Sequence, residues 1–417
     1  MLKSFKVKNY LSIKEPLCIS FKANVFDDST SYENFFHFNG DRILKVSSFY
    51  GMNASGKTNI IRAFAALQEV ALAFNPAVGI GQKFVLPYYP FKFDEQSSHD
   101  PTELEIEFSL NNDDNSFLYR YKVVFNANFI LEEKLEKQTS QKMSVLYERK
   151  TDQFGISIIS FGKSASNSQL LEIMKDSIVP NQTYLSLFNR IRIPDISDVY
   201  SFFQQRLVNI SPEVTRFDDI EPSSTEDPQL KKFLVHLLKA ADFNIDDYHV
   251  SKKRQKVLVN GLMGTLPERN ALFLDHKVDS KDKSIEYLYE SLGTKKMIVL
   301  GLRLYNVLKQ PSVLIVDELE SSLHPELTKL IVTLFLDETT NPHHSQLLFT
   351  SHETTLLNLS LLRRDQIHFV YKDETTGETY LHSLQEFKMR KTSNVMKSYL
   401  SGRFSTSPNI RKTYLGS

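Results

Sequence analysis

Apolar and polar residues alternate with period two through much of the first 160 positions. "LKSFKVKN" and "EPLCISFKANVF" predict an N-terminal β-hairpin, with Cys18 as a small core residue of its second strand. In "TELEIEFSL" the alternation puts Leu104, Ile106, Phe108 and Leu110 on one face. Beyond the turn "NNDDNS", "FLYRYKVVF" does the same with Phe117, Tyr119, Tyr121, Val123 and Phe125. "FILEEKLEK", "MSVLYERK" and "GISIISF" continue the pattern, which predicts an antiparallel meander.

The period changes near residue 165. "SQLLEIMKDSI" and "SDVYSFFQQRLV" read as helices, followed by a Pro/Ser-rich acidic loop, "SPEVTRFDDIEPSSTEDP". Asp227 and Pro228 make an N-cap and a first helical position. After them Leu230, Phe233, Leu234, Leu237, Leu238 and Ala241 share one helical face, which reads as core, while His236 falls off it and is solvated. Residues 165–250 are thus expected to form a compact helical lobe, with Asp218, Asp219 and Glu221 free to meet a partner. "KVLVNGLMG" and "NALFLDHKV" return to strands.

Two stretches carry chemistry. In "FYGMNASGKTNII", Gly51, Gly56, Lys57 and Thr58 fill the pattern G-x-x-x-x-G-K-[ST] between an apolar strand and an amphipathic helix. The glycines let backbone N–H groups curl toward phosphate oxygens at a helix N-terminus. Lys57 can then reach the β- and γ-phosphates, and the Thr58 hydroxyl can hold Mg²⁺. Asn53, Ala54, Ser55 and Asn59 complete the expected ATP-binding segment. About 260 residues later, "SVLIVDE" delivers two carboxylates at the end of a buried strand. Asp317 suits a Mg²⁺ ligand and Glu318 a general base for the attacking water.

Between these stretches, Ser291-Leu292-Gly293-Thr294 opens a helix with Met297, Leu300, Leu304 and Leu308 inward. A small hydroxyl residue and a glycine at a helix start make a second anion-seeking end. One triphosphate hardly needs two from the same chain, so Ser291 and Gly293 are expected to meet the nucleotide of a second copy. "SSLHP" and the apolar strand "SQLLFTSH" follow, and His352 lies where it could touch a γ-phosphate or its water.

In this order the parts resemble the phosphate loop, signature, acidic strand, D-loop and switch histidine of ABC-type ATPases. "YGMNASGKTNII", "ESLGTKK", "DELESSLHPEL" and "TSHETTLL" are most similar to the SMC/RecF-like branch, and within it to ATPases of abortive-infection and phage-defence systems (AriA, RloA and AbiLi-like). The start "MLKSFKVKNYLSIKE" and the tail "RRDQIHFVYKDETTGETYLHSLQEFKMRK" are similar too. The resemblance implies an α/β fold, an ABC-type P-loop ATPase head carrying an antiparallel β-meander and an inserted helical lobe. Residues 1–164 and 251–417 would be the two halves of the head and 165–250 the lobe. It also implies ATP and Mg²⁺, a homodimer sandwiching the nucleotide or a higher oligomer, and a separate toxic effector, nuclease-like, under control of the ATPase. Leu292 and Thr294 stand where transporters carry glycine and glutamine. No Q-loop glutamine is clear; Gln82 is the nearest candidate.

Composition narrows the alternatives. The 417 residues carry 50 basic and 50 acidic side chains, so the formal net charge is zero. A surface built for nucleic-acid phosphates is not indicated, and "SKKRQK" and "KMRK" read as solvated faces. A DNA-repair or replication ATPase clamping DNA remains the alternative function, and a transporter motor ranks third. The single cysteine excludes an internal disulfide and a Cys-based metal site. His343 and His344 lack a cysteine or spaced carboxylate partner, so no metal is expected there. No apolar run is long enough for a membrane span and no signal-peptide core is present, so a cytoplasmic chain is expected. The 65 residues after His352 read as a hairpin around "DETTGE" and a short helical tail, too little for a metal-dependent nuclease domain, so no fused effector is expected.

Overall fold

The computed structural model describes the chain except residues 26–29, 74–84, 113–114, 140–141, 164, 166–167, 176–177, 190, 211–226, 242, 254–255, 260–261, 266–268, 279–280, 388, 390–393 and 405–417. Gln82, the acidic loop with Asp218, Asp219 and Glu221, and most of "KMRK" therefore lie outside the described residues. The chain runs β1 (Leu2–Lys8), β2 (Leu17–Ser20), β3 (Phe35–Phe38), β4 (Asp41–Leu44), β5 (Val46–Tyr50) and α1 (Lys57–Leu72). The meander follows as β6 (Thr102–Asn112), β7 (Asn115–Phe125), β8 (Ile130–Thr139), β9 (Lys142–Thr151) and β10 (Ser157–Phe161). Next come α2 (Ser168–Lys175), α3 (Ile196–Ser201), β11 (Leu207–Ile210) and α4 (Pro228–Ala240). Five strands, β12 (Ile245–Lys253), β13 (Lys256–Val259), β14 (Leu262–Thr265), β15 (Arg269–Val278) and β16 (Lys281–Glu286), lead to α5 (Leu292–Leu308). The chain then forms β17 (Val313–Val316), α6 (Pro325–Leu336), β18 (Gln346–Ser351), β19 (Ile367–Lys372), β20 (Thr379–Ser383) and α7 (Val395–Leu400).

Two large sheets organise the molecule. One is antiparallel, in the order β10-β9-β8-β7-β6-β1-β2, and joins the N-terminal hairpin to the meander. The other runs β11-β17-β18-β5-β19-β20. Its first five strands are parallel and β20 is antiparallel. The expected α/β fold with an antiparallel meander is the architecture observed. β17 and β18 are buried on every residue, as a parallel sheet covered on both faces requires. Period two then divides their side chains. Val313, Ile315 and Leu348 join a core with α1 and the meander, where Phe5 stacks on Phe64 at 3.8 Å. Leu314, Val316, Leu347 and Phe349 join a second core around α5 and α6.

Residues 165–250, expected as one helical lobe, divide between these cores. Leu171 of α2 and Val199 of α3 pack under the meander, while Leu230, Leu234, Leu237 and Leu238 of α4 belong to the second core. Gly301 of α5 lets α4 approach so closely that a Cβ there would lie 2.6 Å from Leu234. The apolar face of α4 thus covers the α5 helix. "SDVYSFFQQRLV" is not one helix either. After α3 the backbone widens to a π-turn over Phe202–Arg206, and Leu207 enters β11 beside β17. Cys18 is exposed rather than core. Leu17 and Ile19 point inward, so period two sends the residue between them outward. No described helix is long and apolar enough to cross a membrane.

His368 on β19 is fully enclosed and stacks on Phe49 at 5.2 Å, and burial holds its pKa down at about 4. Below about 6.5 the unfolded chain takes up a proton that the folded chain refuses until about 4. Stability is therefore full above the unfolded value and lost as pH falls through this window. His368→Phe is expected to remove about 3 kcal/mol of that acid-linked loss. Denaturant midpoints measured from pH 7 to pH 4 check it: the variant's slope should be visibly flatter than that of the parent chain.

Candidate functional site

Three neighbouring parallel strands end at one edge of the second sheet. β5 leads into Gly51, β17 into Asp317 and β18 into His352. β18 lies between the other two, with Val316 opposite Phe349 and Ser351 opposite Tyr50. This strand order explains how residues far apart in sequence meet.

The loop from Gly51 to Gly56 is held in a shape only glycine permits at its two ends. A Cβ on Gly51 would lie 2.2 Å from the Val370 carbonyl oxygen. A Cβ on Gly56 would meet Thr379 Oγ1 at 2.2 Å, and its φ of 106° is left-handed. Asn59 Nδ2 donates to Ser12 Oγ (2.6 Å), which pairs with Thr379 Oγ1 (2.7 Å), and Thr379 Oγ1 donates to the Ser55 carbonyl (3.0 Å). Helix α1 starts at Lys57 without a side-chain cap, whereas α4, α5, α6 and α7 each have one. Its first N–H groups are therefore open to an anion. Ser55 Oγ is buried and has no hydrogen-bond partner. Asn53 and Ala54 are exposed, and Thr58 is half-buried. An uncapped helix start and an orphaned hydroxyl fit a bound phosphate chain.

Lys57 is buried and donates to the carbonyls of Gly51 (2.8 Å) and Met52 (2.9 Å). Burial lowers its pKa to about 8, against the pull of Asp317, Glu320 and Glu318. Asp317 is buried and accepts from Thr350 Oγ1 at 2.6 Å. The same oxygen accepts the Glu318 N–H at 2.7 Å, so Thr350 bridges the two acidic residues. Glu318 has φ 50°, a left-handed conformation that costs a non-glycine residue about 1–3 kcal/mol and marks sites where geometry is enforced. Its carbonyl accepts from the Ser321 N–H (2.9 Å) and from Lys296 Nζ (3.0 Å). Glu320 Oε1 accepts the His352 N–H at 2.5 Å. His352 stands at the rim, its pKa lowered by partial burial and by the Lys57 charge, so the ring is neutral near pH 7. Lys57, Asp317, Glu318 and His352 thus follow the ends of three adjacent strands.

The signature element sits elsewhere on the chain. Ser291 caps α5, accepting from the Thr294 N–H at 3.1 Å. Among the described residues no hydrogen bond joins Ser291–Thr294 to Gly51–Thr58. Leu288, Tyr289 and Leu292 around it are exposed by 52%, 77% and 64%, an unusually apolar surface for a helix start. Beside the loop, a cleft of about 910 Å³ opens between Lys14, Phe91, Phe93, Met52 and the turn joining β19 to β20. Phe93 and Phe91 meet edge to face, and Lys372 lies over the Phe93 ring.

Sequence reasoning missed Lys296, Thr350, Glu320, Ser12 and Thr379. For Lys296 a signal existed: it lies four residues before Leu300, on the apolar stripe of α5, where a lysine is out of place. The hydroxyls had no signal, since their partners are fixed only by strand order.

The family model described as "AAA domain, putative AbiEii toxin, Type IV TA system" matches residues 46–358. No curated protein matches the chain. Among solved structures the chain is similar to the SmcHead bound to the C-winged helix domain of ScpA, at 11% identity and a TM-score of 0.39, over 92% of this chain and 98% of that one.

Proposed function

The chain belongs to this AAA-domain family, and from that premise we propose that it binds and hydrolyses ATP and uses the cycle to control a separate toxic effector in anti-phage defence. One observation carries the enzymatic part: the phosphate loop, Asp317–Glu318 and His352 end three adjacent parallel strands. Loop N–H groups and Lys57 hold the triphosphate. Lys57 exchanges its two carbonyl partners for phosphate oxygens, a stronger charge-assisted bond. The base and ribose take the cleft beside Phe91 and Phe93. Mg²⁺, held by Thr58 Oγ1 and Asp317, would neutralise charge on the phosphates. Glu318 accepts a proton from the attacking water, and neutral His352 orients that water or the γ-phosphate.

The exposed apolar surface around Ser291 supports assembly of two copies, each completing the other's site. The family's description, which names a toxin–antitoxin system, supports a toxin–antitoxin context for the chain. ATP turnover by the wild-type chain, lost together with triphosphate binding in Lys57→Ala, tests the enzymatic reading; unchanged binding in that variant rejects it. Co-purification of the neighbouring gene product tests the regulatory reading, and its absence at every nucleotide state rejects that part alone.

A further inference from the structure

Lys296 is buried one turn into α5, and the hydrogen bonds of its ammonium go to another element. It donates to the carbonyls of Glu318 (3.0 Å) and Leu319 (3.3 Å), at the turn that follows β17. Burying an ammonium is costly, and an apolar side chain of similar length would pack there more cheaply. Burial pulls its pKa down to about 8 while Glu320, Glu318 and Asp317 pull it up. The charge is therefore tolerated for something other than packing.

What it holds is the left-handed residue. Glu318 keeps φ 50° because its N–H is tied to Thr350 and its carbonyl to Ser321 and Lys296. The same two elements touch again three residues earlier on α5, where a Cβ on Gly293 would lie 2.8 Å from the Ser322 carbonyl. The first turn of α5 and the 318–322 turn are thus coupled at two points, and displacing one displaces the other.

We propose that Lys296 is a positioning residue that fixes the turn aiming the Glu318 carboxylate, and that it thereby links this base to the helix whose start, exposed at Ser291 and Leu292, receives the nucleotide of a second copy. The proposal rests on Glu318 being the base. Through it, capture of one nucleotide at the exposed end sets the geometry of hydrolysis at the other site of the same chain.

The test uses the full chain with ATP and Mg²⁺. Lys296→Met should lower turnover at saturating ATP about 10- to 100-fold, the scale of a small misplacement of a reacting group. Nucleotide affinity should stay within about twofold, and the melting temperature should not fall. In a Glu318→Gln background the same substitution should slow the residual reaction by less than about twofold, because the group it aims is already gone. A full-sized further loss there would show that Lys296 acts elsewhere. Unchanged turnover in the single variant, or affinity falling in step with turnover, would also overturn the proposal. Should Lys296→Met not fold, Lys296→Arg and Lys296→Gln give the same contrast: a faster arginine variant supports it, and equal rates reject it. A wild-type chain without ATP turnover strikes the enzymatic reading instead, and this proposal with it.

Discussion

Glu318→Gln is expected to slow ATP hydrolysis by about 10²–10⁴-fold while leaving ATP binding intact, the loss associated with removing a general base. In barrier terms this is about 3–5 kcal/mol. The substitution suits the purpose because glutamine has nearly the same shape. The backbone bonds at 318, from its N–H to Thr350 and to its carbonyl from Ser321 and Lys296, do not involve the side chain. The turn should therefore survive, and only the proton acceptor is lost. Since binding persists without release by hydrolysis, ATP-bound dimer should accumulate, visible by light scattering after size exclusion. The decisive number is single-turnover hydrolysis of labelled ATP; a rate equal to wild type would remove Glu318 as the base.

The second large effect concerns assembly. Ser291→Arg places a long charged side chain on the exposed start of α5 and removes its cap, which costs the helix only about 1 kcal/mol. The chain should fold, keep its phosphate loop and bind ATP. Its turnover should nevertheless be nearly abolished, because no copy then offers an intact helix end to its partner. Lys57→Ala should be equally inactive for the opposite reason. Mixed together, the two variants should regain up to roughly a quarter of wild-type turnover, as random pairing in a twofold dimer leaves one intact composite site in each heterodimer. Heterodimers verified by differential tags and showing no recovery would assign Ser291 a role within its own chain, or none beyond capping.

Most of the candidate site was legible because phosphate and acid chemistry demand specific residue types at specific strand ends. Gly51, Gly56, Lys57, Asp317 and Glu318 can be found without a fold. The meander was equally legible, since β6 and β7 alternate buried and less buried residues along most of their length, although irregular pairing interrupts the pattern in β8 and β9. What the sequence hid depends on register between distant strands. Thr350 is one of several residues in an apolar run until β18 is known to lie beside β17 with Val316 opposite Phe349. Ser12 and Thr379 look like ordinary polar residues of a turn and a strand. The lobe misled for a related reason: an apolar helix face shows that something covers it, but not what. For α4 the cover is α5, which packs on the second sheet.

The hydroxyl chain beside the phosphate loop has a polarity of its own. It begins at an amide N–H₂ of Asn59, which can only give, and ends at the Ser55 carbonyl, which can only receive. The hydroxyl protons of Ser12 and Thr379 between them consequently have a single orientation, with no degenerate alternative. Three segments distant in sequence, around Ser12, Ser55–Asn59 and Thr379, are locked into one arrangement before any ligand arrives. The loop then has little configurational freedom left to lose, so the triphosphate binding proposed above would be spared most of the ordering cost that a pliable loop would impose.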